Sequence, residues 1–298
     1  MNKNLAEYLL IFKENQRREL SPKTIARKVY ETEQFLIYLE SNGKNDLKNF
    51  DVTVVYKYIT SLNFATQTIS GIQFTLRNFF NIMFEKGLCE IDGYKVFPII
   101  FTNKRDQILS YYQTDEIKEL LLQIDPTKPN GVRDKCMLLL AAQTGLRASD
   151  ILGLRHDEIL WGKQIIHKIQ EKTKLPVSVP LPENIKYLLI DYLKNHRPES
   201  GENYIFISEK TRKRYSDSEL YVIMNKYFQK SAVVIGNRKH GPHTLRHSLA
   251  ARLLENNTPM PVITGILGHK NLNTTSKYLS IDIEGLRKAA LEVPTDEN

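Results

Sequence analysis

The chain has only two cysteines in 298 residues, and one pair cannot build a disulfide framework. One of them, Cys136, sits inside the apolar run CMLLLAA. Histidine and cysteine never fall at metal-ligand spacing. No apolar run is long enough to span a membrane. A secretory signal pattern is missing too, because the apolar stretch from Asn4 to Phe12 is short and is followed by mixed charge. Nor is positive charge gathered in a tail. Through Lys104 there are 14 basic and 11 acidic residues, and beyond it 28 and 23. These absences set aside a secreted disulfide scaffold, a metal-ligand fold and a membrane protein. They leave a reduced, cytoplasmic, soluble protein as the expectation.

What is present is a formal charge of +8 and a pI of about 9.2, which suits a polyanionic partner. With both halves mildly basic, a surface for that partner has to be patterned on folded domains. The length favours two domains, and 41% hydrophobic residues are enough to fill ordinary cores.

Helical periodicity dominates up to about Lys104. SPKTIARKVYETEQFLIYLE opens with Ser21 as N-cap and Pro22 at the first helical position, and it repeats apolar residues at Ile25, Val29, Phe35, Leu36 and Leu39. Gly43 closes it. A second helix spans Val52 to Leu62, and a third, SGIQFTLRNFFNIMFEKGL, ends at Gly87. The expectation is an all-helical domain of four or five helices, with Phe12, Phe35, Phe74, Phe79, Phe80 and Phe84 in its core. Tyr94 to Ser110 has no helical period and reads as a linker.

The carboxy-terminal part mixes helices with a little sheet. Thr114 reads as a helix N-cap with Asp115 and Glu116 in the first turn, where the helix dipole favours acids. RDKCMLLLAAQTGLRASDILGL reads as a buried helix, a break at Gly145, and a short helix capped by Ser149. Arg147 sits in the break, with Asp150 near enough to orient its guanidinium. Alternating Ile165, His167, Ile169 and then Val177, Val179, Leu181 predict a hairpin with Lys172 at its tip. A strand, a basic loop with Arg212, Lys213 and Arg214, and a helix follow. The stretch from Gly241 to Leu279 then places His243 and Arg246 on one side of a helix, being three apart. It turns sharply at Gly268 to aim His269, and it sets Tyr278 among polar residues.

HTLRH, then LGH, then a tyrosine at this interval resembles the catalytic box of the tyrosine recombinases, the phage-integrase and Xer group. TGLRASDILGL resembles that family's first-arginine motif. Lys172, followed by a strand ending in Pro180, resembles its mobile hairpin lysine, with Lys174 as a rival, since the family often has Gly there. SPKTIARK and TLRNFF resemble its core-binding domain, although the Asn-Pro pair that usually leaves that domain is absent.

The resemblance implies a mainly α fold with a small β-sheet (α+β): a helical core-binding domain at 1–104, a linker to about 110, and a mixed catalytic domain with a β-hairpin at 111–298. With no further domain ahead of the first helix, it looks like the family's minimal form. The implied catalytic set is Arg147, Lys172, His243, Arg246, His269 and the nucleophile Tyr278, with Asp150 behind it. Weaker DNA-contact candidates are Lys23, Arg27, Lys28, Arg77, Arg212, Lys213 and Arg214.

The implied activity is cleavage and rejoining of double-stranded DNA at paired half-sites through a 3′-phosphotyrosine, without metal, ATP or cofactor. It would be run by a homo-tetramer whose helix DIEGLRKAALEV docks on a neighbouring subunit. Integration or excision of a mobile element and Xer-like resolution of replicon dimers share this chemistry. A type IB topoisomerase differs in spacing and domain plan. A binder that has lost catalysis would lack one of these residues, and none is missing.

Overall fold

The computed structural model describes residues 2–17, 20–48, 51–97, 109–128, 130–270, 275, 276 and 278. The chain divides into two compact units, Met1–Asp106 and Gln107–Asn298. Most of the expected linker after Phe97, and the helix expected in DIEGLRKAALEV, lie outside the described residues. No described helix is long and apolar enough to cross a membrane.

The amino-terminal unit contains α1 (Lys3–Gln16), α2 (Pro22–Ser41), α3 (Val52–Ser61), α4 (Thr66–Glu85) and a single turn, α5 (Gly93–Val96). Ser21 caps α2 by accepting the Thr24 N–H at 3.3 Å, with Pro22 in the first turn, as its residue types dictate. Gly43 and Gly87 end α2 and α4 in left-handed geometry. The core is aromatic: Phe12, Phe35, Phe79 and Phe80 are fully buried, and Phe12–Phe79, Phe35–Phe80 and Phe79–Phe80 meet edge to face at 5.4–5.7 Å.

Two expected core residues are not in it, since Phe74 is 59% and Phe84 46% exposed. Both lie on α4, whose inward stripe runs instead through Ile72, Leu76, Phe79, Phe80 and Met83. Phe74 is covered on one side by the Lys28 ammonium, 5.5 Å from its ring centroid.

The carboxy-terminal unit is arranged around α7 (Gly131–Thr144), a helix buried on almost every side. Around it lie α6 (Thr114–Leu122), α8 (Ala148–Leu152), α9 (Glu183–Asp191), α10 (Glu219–Phe228), α11 (Pro242–Glu255) and α12 (Met260–Leu267). Two caps differ from expectation by a residue or two. Gln113 precedes α6, its N–H donating to Glu116 at 2.9 Å. Arg147, not Ser149, is the N-cap of α8.

The sheet is β1 (Ile159–Leu160), β2 (Ile165–Ile169) and β3 (Pro176–Pro180), antiparallel in that order. Ile166 pairs with Val179 and Lys168 with Val177, so those residues share the buried face. The inward set of β2 is therefore Ile166 and Lys168, and the alternating Ile165, His167 and Ile169 that signalled the strand lie on its other face. Lys168 is tolerated there because its ammonium donates to the Gly153 carbonyl at 2.7 Å and to both Glu158 oxygens at 2.9–3.0 Å. The strand expected at IFIS is reduced to two isolated bridges, Arg155 with Tyr204 and Ile207 with Arg214. Ile205, Phe206 and Ile207 are buried in succession, which packs the segment into the core instead of presenting one face of a ladder.

Candidate active site

Two helices of the carboxy-terminal unit end in left-handed glycines, Gly145 after α7 and Gly268 after α12. Both positions also demand a missing side chain. A Cβ on Gly145 would lie 2.8 Å from Leu249 and 3.0 Å from Leu267, and one on Gly268 would lie 2.6 Å from the Gln170 amide. The last carbonyls of a helix lack intrahelical partners and carry the negative end of its dipole. Arg246 satisfies two of them. Its guanidinium donates to Gly145 O at 2.6 Å and to Leu267 O at the end of α12. A buried cation thus gains two carbonyl acceptors at dipole ends in place of water, and it is held to 3% exposure. Burial, and then the charge of Arg147, pull this guanidinium down to about 10, still protonated at neutral pH.

Arg147 leaves the same break. Its guanidinium donates to Gln170 Oε1, and burial lowers its pKa while Asp150 and Tyr278 raise it. Two guanidiniums therefore feel each other in a partly dehydrated place, an arrangement relieved by an anion between them.

Asp150 does not hold Arg147 as expected. Its Oδ1 accepts the Glu171 backbone N–H at 2.8 Å, at the base of the hairpin tip. Gln170 holds Arg147 instead, and it also takes the Thr173 hydroxyl at 2.7 Å and gives its amide to Leu267 O at 3.3 Å. Burial raises the Asp150 carboxyl, against the Glu171 N–H and then Arg147. Lys172 stands exposed at the tip beside Glu171, and Lys174, also exposed, adopts a left-handed φ of 59°. That conformation is the one glycine takes most readily.

Tyr278 is fully buried. Its N–H donates to Thr275 O at 2.9 Å. The Thr275 hydroxyl is tied to His269 Nδ1 at 2.7 Å and to Thr264 of α12 at 2.9 Å, so one short turn locks the tyrosine to α12. Its ring lies nearly parallel to that of His269, 6.3 Å between centroids. Burial pushes the Tyr278 phenol up, while Arg246 and then Arg147 pull it down.

The histidine at the phenol is neither His243 nor His269. His247 Nδ1 lies 2.9 Å from Tyr278 Oη. His243, exposed in the first turn of α11, stacks on His247 at 6.5 Å. A signal for His247 was present in its i, i+4 spacing from His243 on one helix face.

Arg147, Arg246, His269 and Tyr278 are thus brought together, His243 is one ring removed, and Lys172 stays exposed at the hairpin tip, two residues past Gln170. The expected DNA contacts divide. Lys23, Arg212 and Lys213 are exposed, and Arg27 is exposed but paired with Glu31. Lys28 is buried, bonded to Gln16 at 2.9 Å and Asn78 at 3.2 Å, so it faces the core. Arg77 donates to Phe97 O at 2.6 Å. Arg214 binds Glu171 and Ser149 O, each at 2.9 Å, and so braces the hairpin and α8.

The sequence model of the phage integrase family matches residues 111–284. A putative integrase/recombinase of Sinorhizobium fredii is 29% identical over 93% of this chain and 68% of its own. A second one from that organism is 32% identical over 63% of this chain and 97% of its own. Tyrosine recombinase XerD of Staphylococcus epidermidis is 26% identical over 97% of both chains. Among solved structures, a lambda integrase dimer bound to a COC′ core site superposes with a TM-score of 0.72 at 16% identity, covering 98% of this chain and 99% of that one. XerH bound to difH substrate superposes at 0.70 and 17% identity, covering 97% and 96%. At those identities the structural likeness is one of fold, and the family match carries the assignment. The chain belongs to the phage integrase family and is a tyrosine-type site-specific DNA recombinase.

Proposed function

We propose that the chain cleaves and rejoins duplex DNA with Tyr278 as nucleophile, integrating or excising a mobile element. The observation that carries this is Arg246, fixed by the carbonyls of two helix ends beside Arg147 and Tyr278. Tyrosine is a poor nucleophile at neutral pH, its ordinary pKa being about 10. A scissile phosphate seated between the two guanidiniums has its non-bridging oxygens clamped, and charge building in the pentacoordinate transition state is offset there. The phenol oxygen attacks phosphorus and the 5′ oxygen departs with a proton from Lys172, with Lys174 as the rival donor. His269 donates to an equatorial phosphate oxygen, and a histidine of α11, His243 by its motif, accepts the phenol proton or bonds the phosphate. The phosphotyrosine keeps the bond energy, so a second 5′-hydroxyl restores the DNA backbone without ATP.

In this reading the amino-terminal unit is the core-binding domain, with Lys23 and Arg27 on phosphates. Four copies act on paired half-sites, exchanging the segment after Tyr278. The end-to-end match to XerD supports a second role, resolution of replicon dimers, by the same chemistry.

The test is a nicked suicide duplex drawn from DNA flanking the gene, incubated with wild type and with Tyr278→Phe. The expected outcome is a denaturation-resistant protein–DNA adduct with wild type alone. An adduct with Tyr278→Phe, or none with wild type, contradicts the reading.

A further inference from the structure

The buried Tyr278 phenol poses a problem that the arginines do not solve. Burial favours its neutral form, and Arg246 and Arg147 oppose that in the DNA-free enzyme. When a phosphate anion enters the clamp, its charge cancels much of the help those cations give to a phenolate. The proton then needs a named acceptor at the moment of attack.

His243 is an exposed residue in the first turn of α11, and its ring meets His247, 6.5 Å away. His269 gives its Nδ1 to the Thr275 hydroxyl at 2.7 Å. His247 is different. Its Nδ1 is 2.9 Å from Tyr278 Oη, its ring centroid is 5.4 Å from the tyrosine ring, and it is partly buried. It is also the next residue after Arg246 on α11, so the helix that carries the phosphate clamp also sets the position of the acceptor.

Resting on the reading of Tyr278 as nucleophile, we infer that His247 is a further catalytic residue, the base that takes the Tyr278 proton. In the DNA-free enzyme the phenol O–H donates to a neutral His247 whose own proton is on Nε2. On attack the Oη–P bond forms, the phenol proton moves to His247 Nδ1, and the P–O5′ bond breaks as O5′ collects a proton from the hairpin lysine. In the rejoining half-reaction the 5′-hydroxyl attacks and gives its proton back to the hairpin lysine, the Oη–P bond breaks, and the imidazolium returns its proton to Tyr278. His243 is left to bond the phosphate. Between attacks, the same hydrogen bond keeps the nucleophile neutral and out of solvent.

The experiment measures single-turnover adduct formation on the nicked duplexes described above, with wild type, His247→Gln, Lys172→Ala and Tyr278→Phe. The expected result is that His247→Gln binds the duplex as wild type does but forms adduct slower by about 10²- to 10⁴-fold, the usual worth of a positioned base. Two chemical rescues separate a base from a prop. Fluorotyrosine at 278, a more acidic phenol, recovers at least about tenfold in His247→Gln and little in the wild-type background, because a weaker acid depends more on its base. A 5′-phosphorothiolate, whose sulfur leaves without a proton, rescues Lys172→Ala and leaves His247→Gln slow.

Adduct formation by His247→Gln at the wild-type rate overturns the inference. So does rescue by the phosphorothiolate, which would place His247 at the leaving group, or failure of fluorotyrosine to help, which would make its role structural. An adduct with Tyr278→Phe, or none with wild type, removes the reading on which the inference stands, and is seen in the control lanes.

Discussion

The two units bury different things. The amino-terminal unit fills its centre with Phe12, Phe35, Phe79 and Phe80, and among its described residues Lys28 is the charged side chain that is buried. The carboxy-terminal unit buries Arg133, Asp134, Asp150, Lys168, Gln170 and Arg246 alongside its aliphatic core. An apolar core is held by area and fit, so its members substitute for one another at the cost of packing. A buried charge is held by particular acceptors, and removing one partner leaves the other buried without compensation. The lesson is that one unit is held by the area and fit of its rings, and the other by particular partners for the charges in its interior.

The largest effect should come from the aromatic core. Phe79→Ala removes a ring packed edge to face on two others and should cost about 3–5 kcal/mol in urea unfolding. If it costs less than 1 kcal/mol, the aromatic cluster is not what holds that unit.

Next comes Arg246→Lys, which keeps the charge but cannot span Gly145 O, Leu267 O and a phosphate together. Adduct formation should fall by about 10²–10³-fold, with circular dichroism unchanged. Activity near wild type would mean that charge alone suffices and the two helix-end carbonyls are incidental.

Asp150 sharpens the comparison through pH. Burial holds its folded pKa above the ordinary value, so its stabilising contribution is complete below the unfolded pKa of about 3.9 and is lost as pH rises through the folded value. Asp150→Asn keeps an acceptor for the Glu171 N–H and does not ionise. Its stability relative to wild type should therefore rise between acid and neutral pH. Asp150→Ala, leaving that N–H without its partner, should be less stable than Asp150→Asn by about 1–3 kcal/mol at any pH. A pH-independent difference between Asn and wild type would contradict the buried-carboxyl account.

The smallest effect concerns Lys28 and Lys23, five residues apart on α2. Lys23→Ala should flatten the log–log salt dependence of DNA binding by about 0.9, the worth of one phosphate contact. Lys28→Met should leave that slope unchanged and cost about 1–3 kcal/mol of stability, from the acceptors left on Gln16 and Asn78. The reverse pattern would put Lys28 on the DNA and undo its placement in the core.

Legibility followed the same division. Ser21, Pro22 and Gly43 bounded α2 from composition alone, and Gly145 and Gly268 marked the two helix ends because only local backbone geometry was at stake. Periodicity failed wherever a polar group was buried by specific bonds. The alternation at Ile165 and Ile169 signals a strand without saying that Lys168 and Gln170 point inward, which they do because Glu158 and Arg147, earlier in the chain, lie there as partners. Phe74 looked like core, but the outward turn of α4 gives it a lysine for cover. His247 was passed over because an arginine before it carried the familiar motif, and only the folded turn at Thr275 brings a phenol to its ring. Motif order was enough to collect Arg147, Arg246, His269 and Tyr278. What fastens them could be seen only once the helices had ends.

The central claim is that Tyr278 is the atom source for a covalent bond to DNA. Its most direct test is to trap the adduct on a suicide duplex, digest the protein and sequence the nucleotide-bearing peptide by mass spectrometry. The account predicts a nucleotide joined through its 3′ phosphate to the peptide containing Tyr278. A nucleotide on any other residue, or cut DNA released with no protein attached, would contradict it.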